Sequence, residues 1–131
     1  MSYKRYCQQI IIDGLNKIEP GTTMNGHDLG LWIEKNMIMP RRVDNQTMKL
    51  WAAELDEYYR YAIEEFGTVC NPFSDRDGFF KECTGYHVRV LVSMSDTMLQ
   101  HWNDNFNVVA YKDKIIKEVL NVKELILQEV L

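Results

Sequence analysis

Three cysteines are too few, and odd in number, for a disulfide framework. Cys7, Cys70 and Cys83 follow no paired spacing, which is the usage of reduced thiols in a cytoplasmic protein. Long apolar runs are missing too. The N-terminal stretch MSYKRYCQQIIIDG offers only Ile10–Ile12, too short for the apolar part of a signal peptide or for a membrane span. There is no excess of positive charge. Lys and Arg number 15 against 19 Asp and Glu, a net charge of −4, whereas a chain held on nucleic acid mainly through phosphates is usually basic. Phosphate-cradling glycine loops and the Gly-x-Ser-x-Gly pattern are absent. The adjacent carboxylates Glu64 and Glu65 splay apart on a helix and cannot share a substrate. No internal repeat or low-complexity tract is found. These absences point to a non-enzymatic chain with no cofactor.

What is present suits one packed domain over residues 1–131, with 46% hydrophobic and 26% charged residues. The organising stretch is Asn45–Phe66. Met48, Trp51, Ala52, Leu55, Tyr59, Ala62 and Phe66 recur at three- and four-residue intervals, which predicts one long helix with a core-facing stripe. Asp44 or Asn45 caps its start and Gly67 closes it.

Before it, Ser2–Ile18 is predicted helical, with Tyr3, Cys7, Ile10, Ile11, Leu15 and Ile18 on one face. Glu19-Pro20-Gly21-Thr22 is a turn, and Thr22–Met24 a short edge strand. Asn25–Met37 is a second helix, with Leu29, Trp32 and Ile33 buried. Pro40 ends it. Beyond Gly67, Thr68–Asp77 reads as loop. Phe79–Glu82 and Tyr86–Ser93 read as two strands joined by Cys83-Thr84-Gly85, because YHVRVLVS alternates. Ser95-Asp96 opens a short helix to Asp104, and Asn105–Ala110 is a third strand or a turn. Lys112–Leu131 closes the chain as a helix. Its broad apolar surface is either wedged into the core or packed on a second copy as a homodimer.

Helix, short extended piece, helix, turn, long helix and hairpin is the order of elements in a winged helix-turn-helix. Residues 1–93 resemble that family in this order, and residues 94–131 add a C-terminal helical extension. The fold class is thus α+β and mostly helical: winged-helix-like helices, a small antiparallel hairpin and a long C-terminal helix. The resemblance implies that Asn25–Met37 supports, that Asn45–Phe66 recognises, and that Phe79–Ser93 is the wing.

Charge then divides the long helix. Lys35–Lys49 holds four basic residues (Lys35, Arg41, Arg42, Lys49) and one acid, Asp44. Glu54–Glu65 holds five acids and one Arg. Arg41, Arg42, Asn45, Gln46 and Lys49 are types that read base edges or phosphates. Glu54, Glu57, Glu64 and Glu65 form an acidic face suited to a basic partner. Two functions follow: a small acidic inhibitor or adaptor of a nucleic-acid-processing protein, or a winged-helix transcriptional regulator. The net charge favours the first.

Metal chemistry finds little support. Cys70, Cys83 and His87, with Cys7 or His101, lack the paired spacing of structural zinc. Asp75-Arg76-Asp77-Gly78 would place Phe73 and Thr84 where a calcium loop needs carboxylates, and reads as a tight turn.

Overall fold

The computed structural model describes residues 2–38, 44–57, 60 and 76–122. The protein is α+β and mostly helical. Helix α1 (Tyr3–Lys17) starts where the Ser2 side chain accepts a hydrogen bond from the Arg5 amide at 3.1 Å. It ends before a turn in which Thr22 N–H reaches the Glu19 carbonyl at 3.2 Å. Pro20 presets one dihedral there, and Gly21, at φ 87°, supplies the left-handed one. Strand β1 (Thr23–Met24) follows, and then α2 (Gly26–Met37), capped by the Asn25 side chain on the Asp28 amide at 2.7 Å.

Helix α3 spans Asn45–Leu50, and helical residues resume at 52–57 as α4. The single long helix expected over Asn45–Phe66 is therefore interrupted. Trp51 stands between the two pieces at φ −100°, ψ 8°, in the sparse region between helix and strand. Its ring is buried beside Tyr3, Tyr6 and Phe80. Residues 61–66 and Gly67 lie outside the described residues.

The larger correction concerns the wing. Phe79–Ser93, expected as two strands, belongs to one 18-residue helix, α5 (Arg76–Ser93). Phe79, Phe80, Cys83, Thr84, His87, Val88, Leu91 and Val92 are all buried, a pairwise recurrence every three to four residues that only a helix can turn to one side. The alternating valines mimic a strand over eight residues, but the burial they serve runs over the whole segment. Residues 76–78, expected within a tight turn, are the first turn of this helix.

Helix α6 (Asp96–Gln100) and strand β2 (Phe106–Asn107) come next. A 3-10 turn (Val109–Tyr111) then leads into α7 (Lys112–Leu120). Strand β2 pairs antiparallel with β1, Thr23 opposite Asn107 and Met24 opposite Phe106. The two-stranded sheet thus ties residue 24 to residue 106 and is no hairpin. The closing helix places Ile115 and Val119 fully inside the core. Residues 123–131 lie outside the described part.

Helices α1, α2 and α5 pack on one another, and α7 packs on α1 and α6. Two polar bonds cross these contacts. Tyr3 and Thr84 join their hydroxyls at 2.9 Å, and the Gln8 amide donates to the Val119 carbonyl at 3.1 Å. Glu118 on α7 caps α6 from outside. It accepts from the Ser95 hydroxyl at 2.5 Å, the Thr97 amide at 2.9 Å and the Thr97 hydroxyl at 2.7 Å. Burial opposes ionisation of this carboxyl, but those hydrogen bonds and the charge of Lys114 outweigh it and lower its pKa.

One close approach permits only glycine. A Cβ on Gly26 would sit 2.5 Å from the Met98 carbonyl oxygen, because α2 begins against the end of α6, where Gly26 N–H meets the His101 carbonyl at 2.6 Å. Gly30, one turn on, would meet only a Val92 methyl at 3.6 Å. Gly26→Ala should therefore destabilise the protein by about 1–3 kcal/mol. Gly30→Ala should leave it unchanged or up to about 1 kcal/mol more stable. Urea unfolding of the two variants checks this contrast.

His87 generates a second prediction. Burial, with a smaller contribution from the charge of Lys4, lowers its pKa from 6.5 to about 3. The unfolded chain takes up this proton near pH 6.5, the folded chain only near 3. The contribution to stability is therefore complete above about pH 6.5 and is lost progressively towards pH 3. His87→Leu should flatten the dependence of unfolding free energy on pH between 4 and 6 by about 1.4 kcal/mol per pH unit. An unchanged slope would show that the imidazole is hydrated.

Candidate partner-binding surface

The start of α3 is organised by Asp44. Its carboxylate accepts from the Thr47 amide at 2.7 Å and the Thr47 hydroxyl at 3.1 Å, and these bonds lower its pKa. Asn45 opens the helix, and Gln46 and Lys49 are exposed on it. Arg41 and Arg42 lie outside the described residues, so of the expected cationic set the structure places Gln46 and Lys49 on one short exposed helix. Glu54 and Glu57 are half-buried on α4, where Glu57 forms an ion pair with Arg60. Glu64 and Glu65 fall outside the described part.

Beside this helix runs an open groove of about 440 Å³ between α1 and α3. Tyr6, Gln9, Ile10 and Asp13 line it from α1, and Thr47, Leu50 and Trp51 from the α3 side. The rings of Tyr6 and Trp51 lie 5.3 Å apart at 37°, and Trp51 stacks on Phe80 behind. Gln9 donates to the Asp13 carboxylate at 2.9 Å and steadies it on the rim. Leu50, 67% exposed, forms the opposite lip. A shallower depression follows along α4, lined by Ala53, Asp56, Glu57 and Arg60. Among the described lining residues of the two hollows, the acids are Asp13, Asp56 and Glu57. The sole base is Arg60, already held by Glu57.

Sequence reasoning missed the α1 wall. Gln9 and Asp13 sit one turn apart beside the apolar stripe, but the pattern of a single helix does not tell which other helix stands opposite its flank. The signal that was available is the pairing of an amide and a carboxylate at i and i+4 next to Tyr6.

A second groove, of about 580 Å³, separates α2 from the C-terminal half of α5. Gly30, Leu31, Tyr86, Val92, Met94 and Trp102 give it an apolar lining, and His27 meets Trp102 edge-on at 5.5 Å. At its edge Arg89 Nε lies 3.0 Å from a Glu34 carboxylate oxygen.

Among the described residues the metal candidates form no cluster. Cys83 and His87 lie one turn apart on α5, but no group of three or more His, Cys, Asp or Glu side chains converges among the described residues. His101 instead stacks on Phe106, with ring centroids 4.7 Å apart. Cys70 lies outside the described part. Burial raises the Cys7 thiol well above its usual range, against the pull of a hydrogen bond with Tyr3. Burial, with smaller contributions from Glu82 and Asp56, pushes Cys83 up to about 12. Neither is a thiolate at neutral pH, which a cysteine nucleophile must be.

No helix among the described residues is long and apolar enough to cross a membrane. The chain matches no family model, no curated protein and no solved structure. The buried thiols give a direct check of this reading. With Cys70 replaced by Ser, the folded protein should leave both remaining cysteines unlabelled by a thiol reagent at pH 8 for minutes, and unfolding should release both at once. Rapid labelling of the folded protein would place a thiol at the surface.

Proposed function

We propose that this chain is a non-enzymatic interaction module, a small acidic inhibitor or adaptor that binds a basic, nucleic-acid-processing protein. The observation that carries the reading is the acidic lining of the two hollows along α3 and α4, joined by an exposed leucine and an aromatic floor. An apolar patch with carboxylates at its edge suits a protein surface that presents cations among apolar side chains. It repels the phosphates of nucleic acid. The net charge of −4 acts in the same direction at long range, speeding encounter with a basic partner and slowing approach to a polyanion.

The alternative, a regulator that binds nucleic acid itself, rests on Gln46 and Lys49, which α3 holds exposed close together. Their types suit base edges and phosphates. One pair of experiments separates the two. The tagged chain is used to capture partners from an extract, which are then identified, with a variant carrying Asp13→Asn, Asp56→Asn and Glu57→Gln alongside. The chain alone is titrated with duplex and single-stranded DNA and RNA at low and moderate salt. The module reading expects a basic nucleic-acid-processing protein on the wild type, loss of at least tenfold in the variant, and no binding to nucleic acid. Salt-dependent binding of nucleic acid by the chain alone, or capture that ignores the three substitutions, overturns it.

A further inference from the structure

The groove between α1 and α3 has a chemistry more specific than a general acidic surface. Its floor carries two aromatic rings, Tyr6 and Trp51, inclined at 37° and 5.3 Å apart. On one rim stands the Asp13 carboxylate, held by Gln9. On the other, the Thr47 hydroxyl leads to the carboxylate of Asp44. Beside Thr47 the apolar Leu50 stands mostly free of the fold. Among the described residues no base lines the groove. Arg5 and Lys17 lie a turn beyond Gln9 and Asp13 on α1 and do not line it, and Lys49 turns to solvent on α3.

Aromatic faces attract cations through their quadrupole, and a carboxylate at the same opening adds a directed charge-assisted hydrogen bond. Of the natural cations, arginine fits both demands. Its planar guanidinium stacks on rings while its edge donates to a carboxylate, and it gives up its hydration more readily than an ammonium group. An exposed leucine at the lip calls for an apolar residue next to that arginine.

We infer that this groove receives an arginine side chain of the partner protein, its guanidinium against the half-buried ring of Tyr6 and hydrogen-bonded to Asp13, with a neighbouring apolar side chain on Leu50. The inference rests on the reading of the chain as a protein-binding module and names the anchor that such a partner brings. It also accounts for the position of Leu50, which the core does not use.

The test needs no partner. A blocked peptide, acetyl-Ala-Leu-Arg-Leu-Ala-amide, is titrated into the full chain and followed by the amide and indole N–H resonances in two-dimensional NMR. Two control peptides carry citrulline, which keeps the shape but not the charge, or lysine in place of arginine. Saturable shifts should centre on Tyr6, Asp13, Leu50 and the Trp51 indole. The citrulline peptide should bind at least tenfold more weakly and the lysine peptide severalfold more weakly. Asp13→Asn should weaken the arginine peptide by about tenfold, the loss of one charged hydrogen bond. Because Asp13 is exposed, that variant should fold as the parent does. Equal affinity for the arginine and citrulline peptides overturns the inference, as do shifts confined to other residues, such as those of the α2–α5 groove. If the peptide fails while capture of a basic partner persists and tolerates Asp13→Asn, this anchor is wrong and the module reading survives. If capture fails too, both fall.

Discussion

The structure depends on the burial of one face of α5 against α1 and α2. Phe80, Cys83, Thr84, His87, Val88, Leu91 and Val92 are withdrawn from water together, and their surroundings must satisfy the polar members among them. Tyr3 does this for Thr84. It is fully buried, joins its hydroxyl to Thr84, and brings its ring within 5.2 Å of His87 and 6.1 Å of Phe80. A polar seam of this kind costs desolvation, visible in the depressed pKa of His87. In return it fixes how α1 and α5 register, because an offset would strand a hydroxyl inside an apolar core.

The candidate site follows from the same seam. The aromatic layer that begins at Tyr3 and Phe80 continues outward through Trp51 and Tyr6. Trp51 belongs to it, at the break between α3 and α4, and its ring reaches Tyr6 of α1. The groove is the space left where two helices meet through aromatic rings and their polar flanks stay apart. Its lining is therefore a by-product of core packing: rings at the bottom because the core needs them, and Gln9, Asp13 and Thr47 at the top because water reaches them.

Much of the first third of the fold was legible in order. Helices were expected over Ser2–Ile18 and Asn25–Met37, within a residue of where α1 and α2 begin and end, and Pro20-Gly21 turns the chain as Pro-Gly pairs do. Residues 23–24 form a strand, though only the structure reveals its partner, 106–107. The segment 79–93 was misread because three valines at alternate positions imitate a strand within a short window. The decisive evidence lay outside that window, in Phe79, Phe80 and Cys83 completing a longer period. Gln46 and Lys49 were legible as exposed polar residues of a helix start. The wall supplied by Gln9 and Asp13 was not, since it belongs to a helix about forty residues earlier in the chain.

Local chemistry alone determined the caps, the Pro-Gly turn, the apolar faces of α1 and α2 and the acidic balance of the surface. Each follows from the shape, charge or dihedral preference of neighbouring side chains. Tertiary contact decided which periodicity won in α5, where α3 stops, which distant strand pairs with β1, and that Tyr6, Asp13, Leu50 and Trp51 share one opening. Those outcomes turn on burying area and pairing polar groups between segments far apart in the chain, and that free energy exists only once the segments have met.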